Sequence, residues 1–452
     1  MRAARIEGLF AAGVVAMFAI TTPLATAQTL EETLVSAYQT NPTLAAQRAR
    51  LSQSEEAYVQ ARAGRLPTLS ANAEISEQER WGGAFDVRNG DLGYGVSLNQ
   101  PLYRGGRIDG SIDAALARVE AGRETLRAAE QDVLLDAVGA HAGVVRDRAI
   151  VAIRSNNVDV LAEQLRAARD RFEVGEITRT DVAQAEARLS GARAQLSAAQ
   201  AALAGSRAAY ARVTGVEPSD PAAVGPSGGL PEALADAAET ALTTNPELRA
   251  AQFREIAAQQ GVRIARGSMR PEVSIGATVN EGRSSDFTGQ AQGSASVRAQ
   301  VSVPIFTGGL NRSRVREARA AAEEARLSQL SVRRQIIEGV TNAWNNYLAA
   351  QAVIESSREA VRANEIAFDG VEQEAFVGLR TTLDVLNAEQ ELLNSRLELV
   401  RAERDLTFAA YALLQSMGLL DARRLGLPVQ DDAQTPIEER GLAPNLDLTP
   451  WN

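Results

Sequence analysis

The stretch Val174-Gly-Glu-Ile-Thr-Arg-Thr-Asp-Val-Ala-Gln-Ala-Glu186 returns without a gap as Val377-Gly-Leu-Arg-Thr-Thr-Leu-Asp-Val-Leu-Asn-Ala-Glu389. Seven of the thirteen positions are identical. Outward from this turn the rest of the chain repeats too. Asn41-Pro42 matches Asn245-Pro246 at an offset of 204. Pro101 matches Pro304, and Gly105-Gly106 matches Gly308-Gly309, at an offset of 203. A repeat of this size is too long for a solenoid unit. It implies two half-molecules, 28–216 and 230–420, that build similar sectors around an axis.

Each turn joins two long helices. Proline is absent from Leu102 to Glu217 and from Ile305 to Leu427. The run from Arg107 to Phe172 reaches roughly 100 Å at a helical rise of about 1.5 Å per residue. The returning helix carries a heptad seam of Val182, Ala185, Leu189, Ala192, Leu196, Ala199 and Leu203. Its repeat is Val385, Ala388, Leu392, Ser395, Leu399, Ala402 and Leu406. Spacings of three and four specify coiled-coil packing, and the small residues allow close antiparallel approach. Arg188, Arg193, Glu391, Glu398 and Arg401 then form a solvated face.

Before the long helices each half holds short helices (28–66 and 217–270), with Asn-Pro set to end one and open the next. Strands follow (67–104 and 271–307). Leu69, Ala71, Ala73 and Ile75 alternate with Ser70, Asn72, Glu74 and Ser76, and Leu92 to Asn99 alternate likewise. Val273 to Asn280 and Ala295 to Val303 repeat the pattern. Period two means one apolar and one polar face. Hairpins on a soluble domain and strands tilted across a bilayer both show it. Glu77–Asp91 and Gly282–Ala291 read as outward polar loops, with Trp81 and Phe85 as interfacial anchors or plain loop side chains.

The N-terminus favours the membrane. Arg2 and Arg5, the apolar run Leu9–Ile20 and Ala25-Thr26-Ala27 form a secretory signal over 1–27. Twelve apolar residues are too few to span a bilayer as a helix. The chain is exported, and no later segment resembles a transmembrane helix. Four strands cannot close a membrane barrel alone, and an open edge is not tolerated in lipid. The chain therefore oligomerises; strand number alone permits a dimer or a trimer.

Composition excludes other classes. There is no cysteine and a single histidine, His141, so disulfides, thiolate metal sites and His-based catalysis have no material. All 47 basic residues are arginine, and the net charge of −10 argues against nucleic acid. No nucleophile-base constellation, metal cluster or Gly-rich phosphate loop is visible, so no enzyme and no cofactor is expected. His141 aligns with Trp344 and reads as a helix-helix contact. Residues 421–452 lack helical period and read as a flexible extension.

The duplicated plan, the strand exits Gln100-Pro-Leu-Tyr-Arg-Gly-Gly106 and Val303-Pro-Ile-Phe-Thr-Gly-Gly309, and the two Val-Gly-x-x-Thr-x-x-Asp-Val turns resemble the TolC outer-membrane efflux family. The resemblance covers about Thr29 to Leu420. It implies a homotrimer: twelve strands in the outer membrane and the helical hairpins 105–216 and 308–420 forming a periplasmic α-barrel. It further implies an exit duct for tripartite efflux or type I secretion, joined to an inner-membrane transporter through a periplasmic adaptor. On the same resemblance, Val174, Gly175, Val377, Gly378 and Leu379 dock the adaptor. Arg380 ties its hairpin to Thr180 and Asp181, and Asp384 with Asn387 rings the tunnel mouth. Two departures stand out: Ala375 replaces a Tyr of the tie, and Asn387 replaces a second acid. The residues themselves also permit Asp181 and Asp384 as helix N-caps and both glycines as helix stops. The rival class is a structural or adhesive outer-membrane protein with a periplasmic coiled coil.

Overall fold

The computed structural model describes residues 28–82, 87–225, 229–284 and 291–429. The signal sequence, Phe85 and the chain beyond Val429 lie outside the described residues.

The two halves fold alike. In the first, α1 (Leu30–Thr40) and α2 (Pro42–Ala63) lead into β1 (Thr68–Arg80) and β2 (Val87–Arg104), then α3 (Arg107–Glu173) and α4 (Arg179–Thr214). In the second, α5 (Leu234–Thr244) and α6 (Pro246–Gly267) precede β3 (Glu272–Ser284), β4 (Ala291–Ser302), α7 (Leu310–Phe376) and α8 (Thr382–Ser416). α3 and α7 each hold 67 residues.

The Asn-Pro joints work identically in both. Pro42 and Pro246 occupy the first helical turn, where a missing N–H costs nothing. Asn41 Oδ1 accepts from Thr43 N at 2.8 Å, and Asn245 Oδ1 from Glu247 N at 2.9 Å. The same amides reach across to the ends of the returning helices. Asn41 Nδ2 donates to Val213 O and Asn245 Nδ2 to Ser416 O, both at 3.1 Å. One side chain thus caps a helix and clamps another.

The strands form one antiparallel sheet in the order β1-β2-β3-β4. Leu69 lies opposite Leu98, Leu98 opposite Ala277, and Ala277 opposite Val297, one apolar row across all four strands. The neighbouring row is polar: Ser70 and Ser97 hydroxyls meet at 2.7 Å, and those of Thr278 and Ser296 at 2.8 Å. Among the described residues no helix covers the apolar face, and Ile75 is 83% exposed. β1 runs to Arg80 and β2 begins at Val87, so the first loop is shorter than hydropathy implies. Glu77 and Gln78 pair with Gly90 and Asn89; the backbone ladder needs no apolar side chain to continue.

The helices line up as α4-α3-α8-α7. The α4 heptad is buried as expected at Ala185, Leu189, Ala192 and Ala199. α8 buries a second stripe, Leu386, Leu393 and Leu397, because it packs against α3 as well as α7. The largest core lies where α1, α3, α5, α7 and α8 meet, around Leu134, Val138, Val340 and Leu413. The chain after Leu420 departs from the expected free extension. Ala422 and Leu427 enter this core, and Ala422 N donates to Glu130 Oε1 at 2.7 Å. Two buried apolar side chains hold 421–429 down despite the lack of helical period.

Candidate functional site

The two hairpin tips carry the expected functional residues, and their backbone follows one pattern. After α3, Gly175 adopts φ +81°, Gly175 N donates to Phe172 O at 3.0 Å and Glu176 N to Arg171 O at 2.9 Å. After α7, Gly378 adopts φ +80°, Gly378 N donates to Ala375 O at 3.1 Å and Leu379 N to Glu374 O at 2.9 Å. The left-handed glycine lets the last carbonyls be satisfied while the chain reverses. Val174, Val377 and Leu379 stand exposed around these turns. Phe376, at 90% exposure, joins them. Sequence reading missed it, although an aromatic directly before a helix-ending Val-Gly was the available signal. Its repeat mate is Glu173, so the second tip is the more apolar one.

Both aspartates are N-cap partners. Thr178 N donates to Asp181 Oδ2 at 2.9 Å and the Thr178 hydroxyl to the same oxygen at 2.7 Å. Thr381 N and its hydroxyl reach Asp384 Oδ2 at 3.0 and 2.8 Å. These are capping boxes at the starts of α4 and α8. The Thr178 hydroxyl and N–H lower the Asp181 pKa. The Thr381 N–H and hydroxyl lower that of Asp384, with Arg380 adding a smaller pull. Both carboxylates stay charged, and each uses only Oδ2 in its cap.

Within one chain Arg380 does not meet Thr180 or Asp181. Arg380 Nε donates to Glu374 Oε2 on its own hairpin at 2.7 Å. Thr180 is exposed at the first tip. Asn387 faces the first hairpin, where Arg188 donates to its Oδ1 at 3.0 Å. Arg188 is therefore half-buried in an interhelix contact rather than on a solvated face. Beside it Leu386 enters a core of Leu161, Leu165, Ala168, Ala185 and Leu189. The seam between the two hairpins of one chain thus combines a buried knob with an arginine-amide bond.

His141, midway along α3, is 1% exposed. Its Nε2 donates to Ala222 O at 2.8 Å, and Nδ1 lies 2.8 Å from the Thr33 hydroxyl. Burial lowers its pKa, so it serves as a neutral crosslink between α1, α3 and the chain before α5.

Comparison with known proteins agrees with this architecture. The profile of the family described as "Outer membrane efflux protein" matches residues 33–216 and 237–419, one match per half. The chain is similar to the outer membrane efflux protein BepC of Brucella suis, 35% identical over 411 residues that cover 91% of this chain and 90% of that protein. It is 26% identical to the alkaline protease secretion protein AprF of Pseudomonas aeruginosa, over 77% of this chain and 74% of that one. The Campylobacter jejuni CmeC outer membrane channel shares the fold with a TM-score of 0.78 at 15% identity, over 90% of this chain and 89% of that chain. The chain belongs to the outer membrane efflux protein family, a family of outer-membrane channel proteins rather than enzymes, and serves as an exit duct there.

Proposed function

We propose that three copies close into one duct, which receives substrates from an inner-membrane transporter through a periplasmic adaptor docked at the hairpin tips. The observation that carries this reading is a pair of unpartnered edges. The sheet leaves β1 and β4 open, and the helical layer leaves α4 and α7 open. Only another copy offers matching edges in both layers at once. Two copies would give an eight-stranded barrel, whose interior side chains fill; about twelve strands leave a lumen.

The internal repeat supplies the register between copies. Asn99 of β2 lies opposite Gly276 of β3. Shifting Asn99 by 203 and Gly276 by −204 places Ser302 opposite Asn72 of the next copy. The chain has no cysteine of its own. Asn72→Cys with Ser302→Cys should therefore give disulfide-linked trimers on non-reducing electrophoresis, and neither single variant should. Absence of linked trimers from oxidised outer membranes would sink the arrangement.

At the tips, Arg380 of one copy would reach Thr180 and Asp181 of the next, holding the passage shut. An arginine fork serves a carboxylate and a hydroxyl together. Three Asp384 carboxylates would ring the mouth, each with Oδ1 still available, and field focusing in a narrow passage would attract cations. With Asn387 in place of a second acid, block by trivalent cations should be weak. Asp384→Ala should abolish what remains; block unchanged in planar bilayers would refute the ring. Exposed Val174, Val377, Leu379 and Phe376 around Gly175 and Gly378 suit an apolar docking surface for the adaptor. The same conductance measurement separates a duct from an adhesive protein, which would pass no current.

A further inference from the structure

Glu389 stands out among the buried charged groups near the tips. It lies five residues after Asp384 on α8, about 7.5 Å further along the helix. It is 8% exposed, and so is Asn157 of α3, whose Nδ2 donates to Glu389 Oε1 at 3.0 Å. The Glu389 Oε2 and Gln164 Oε1 atoms are both buried without a hydrogen-bond partner among the described residues. Neither atom meets a donor in hydrogen-bonding geometry, although the Gln164 amide lies close enough to Glu389 to favour its charge. A proton on Glu389 would give its carboxyl a donor of its own and remove a buried charge.

The repeat sharpens the contrast. Glu186, the mate of Glu389, is exposed and pairs with Arg169 at 2.6 Å. The mate of Arg169 is Glu372, and the mate of Asn157 is Ala360. Glu389 has lost the arginine of the other copy and gained an amide from the opposite hairpin. That exchange is what a contact across the α3–α8 seam requires, and a surface ion pair does not.

The geometry points to Glu389 as a proton-sensitive latch that holds α8 against α3 and so sets the closed position of the second hairpin. The inference rests on the reading of the tips as a gate. α3 faces Glu389 with the neutral Asn157 and Gln164, and α7 faces it with Glu372. Burial raises its pKa, the Asn157 and Gln164 amides oppose this, and the like charge of Glu372 adds to it. A carboxyl whose pKa is higher in the packed seam than in the parted one binds its proton more tightly when packed. The latch is fully engaged below the ordinary glutamate value, and weakens as pH rises through the raised one. Asp181 and Asp384, shifted the other way, remain ionised across this window.

The test is single-channel conductance of the full-length protein in planar bilayers, from about pH 7.5 down to about pH 5. Wild-type conductance should fall on acidification by at least about twofold. Glu389→Gln, a neutral isostere, should show the low value throughout. Asn157→Asp, which sets a second carboxylate in the seam, should conduct more than wild type at the upper pH and recover on acidification. Trimers on electrophoresis report that each variant assembles. A Glu389→Gln channel that keeps the wild-type pH profile overturns the latch. Arg380→Ser, measured alongside, touches the contact between copies and not this seam. A response to Arg380→Ser with none to either seam variant refutes the latch and leaves the gate. A pH response abolished by Glu389→Gln, with none to Arg380→Ser, keeps the latch and removes the tie.

Discussion

Gly105→Ala should destabilise each subunit by about 3 kcal/mol, enough to lower the unfolding temperature of the purified channel by several degrees. Gly105 links β2 to α3 at φ +64°. A Cβ there would strike the Gly267 carbonyl oxygen at the end of α6 and come within 2.9 Å of Arg270 Cβ. The left-handed backbone alone costs an alanine about 1–2 kcal/mol. The carbonyl cannot step aside, because Arg270 N is bonded to it at 3.0 Å. Gly308, the mate of Gly105, adopts φ +61° but has open space around it within the chain. By the repeat, its neighbour would be the end of α2, near Ala63, of another copy. Thermal unfolding of both alanine variants checks the argument. A loss of only about 1–2 kcal/mol in Gly105→Ala would mean that the backbone conformation, not the Gly267 contact, sets the cost.

Arg380→Ser should raise single-channel conductance several-fold. In the isolated chain Arg380 is engaged by Glu374, and in the proposed ring Asp181 of the next copy competes for it. Both pairs are solvent-exposed, so each is modest and weakened by salt; three copies acting on one passage multiply a modest contact. Glu374→Gln supplies the control. Freeing the guanidinium from its own hairpin should strengthen the tie and lower conductance. Unchanged conductance in Arg380→Ser would remove Arg380 from the gate. Ala375, three positions before Gly378, can supply no hydroxyl to a second tie that would mask the loss.

The parts legible in the sequence were those governed by local rules. Strict alternation revealed the strand faces of Leu69–Ser76 and Val273–Asn280. The Ala185–Leu189–Ala192 heptad revealed the α4 seam, and Asn41-Pro42 the helix joint. What remained hidden depended on which helix lies beside which. Arg188 reads as a surface charge until Asn387, near the start of α8, is placed beside it. Glu389 reads as the twin of Glu186 until α3 covers it. One signal was present and went unused: Leu386 and Leu393 form a second stripe on α8, seven residues apart, that Ala183 and Ser190 do not form on α4. A helix with two apolar stripes has two neighbours. The packing of Ala422 and Leu427 left no such trace, since isolated apolar residues in a Pro-containing stretch carry no period.

The exposed β1 and β4 strands also bear on how such a protein comes into being. Their hydrogen-bonding groups have no partner until other copies arrive, and free edges are templates for unwanted pairing. A folded chain that has not yet met other copies carries Ile75 and Val297 bare on an unfinished sheet. The helices can form from local contacts alone, whereas four strands cannot close into a barrel before other copies join them. Biogenesis is thereby ordered: coiled-coil sectors first, ring closure last, with the period between them the hazardous one. A cell making this channel needs either low synthesis rates or an escort that shields the strands until they meet.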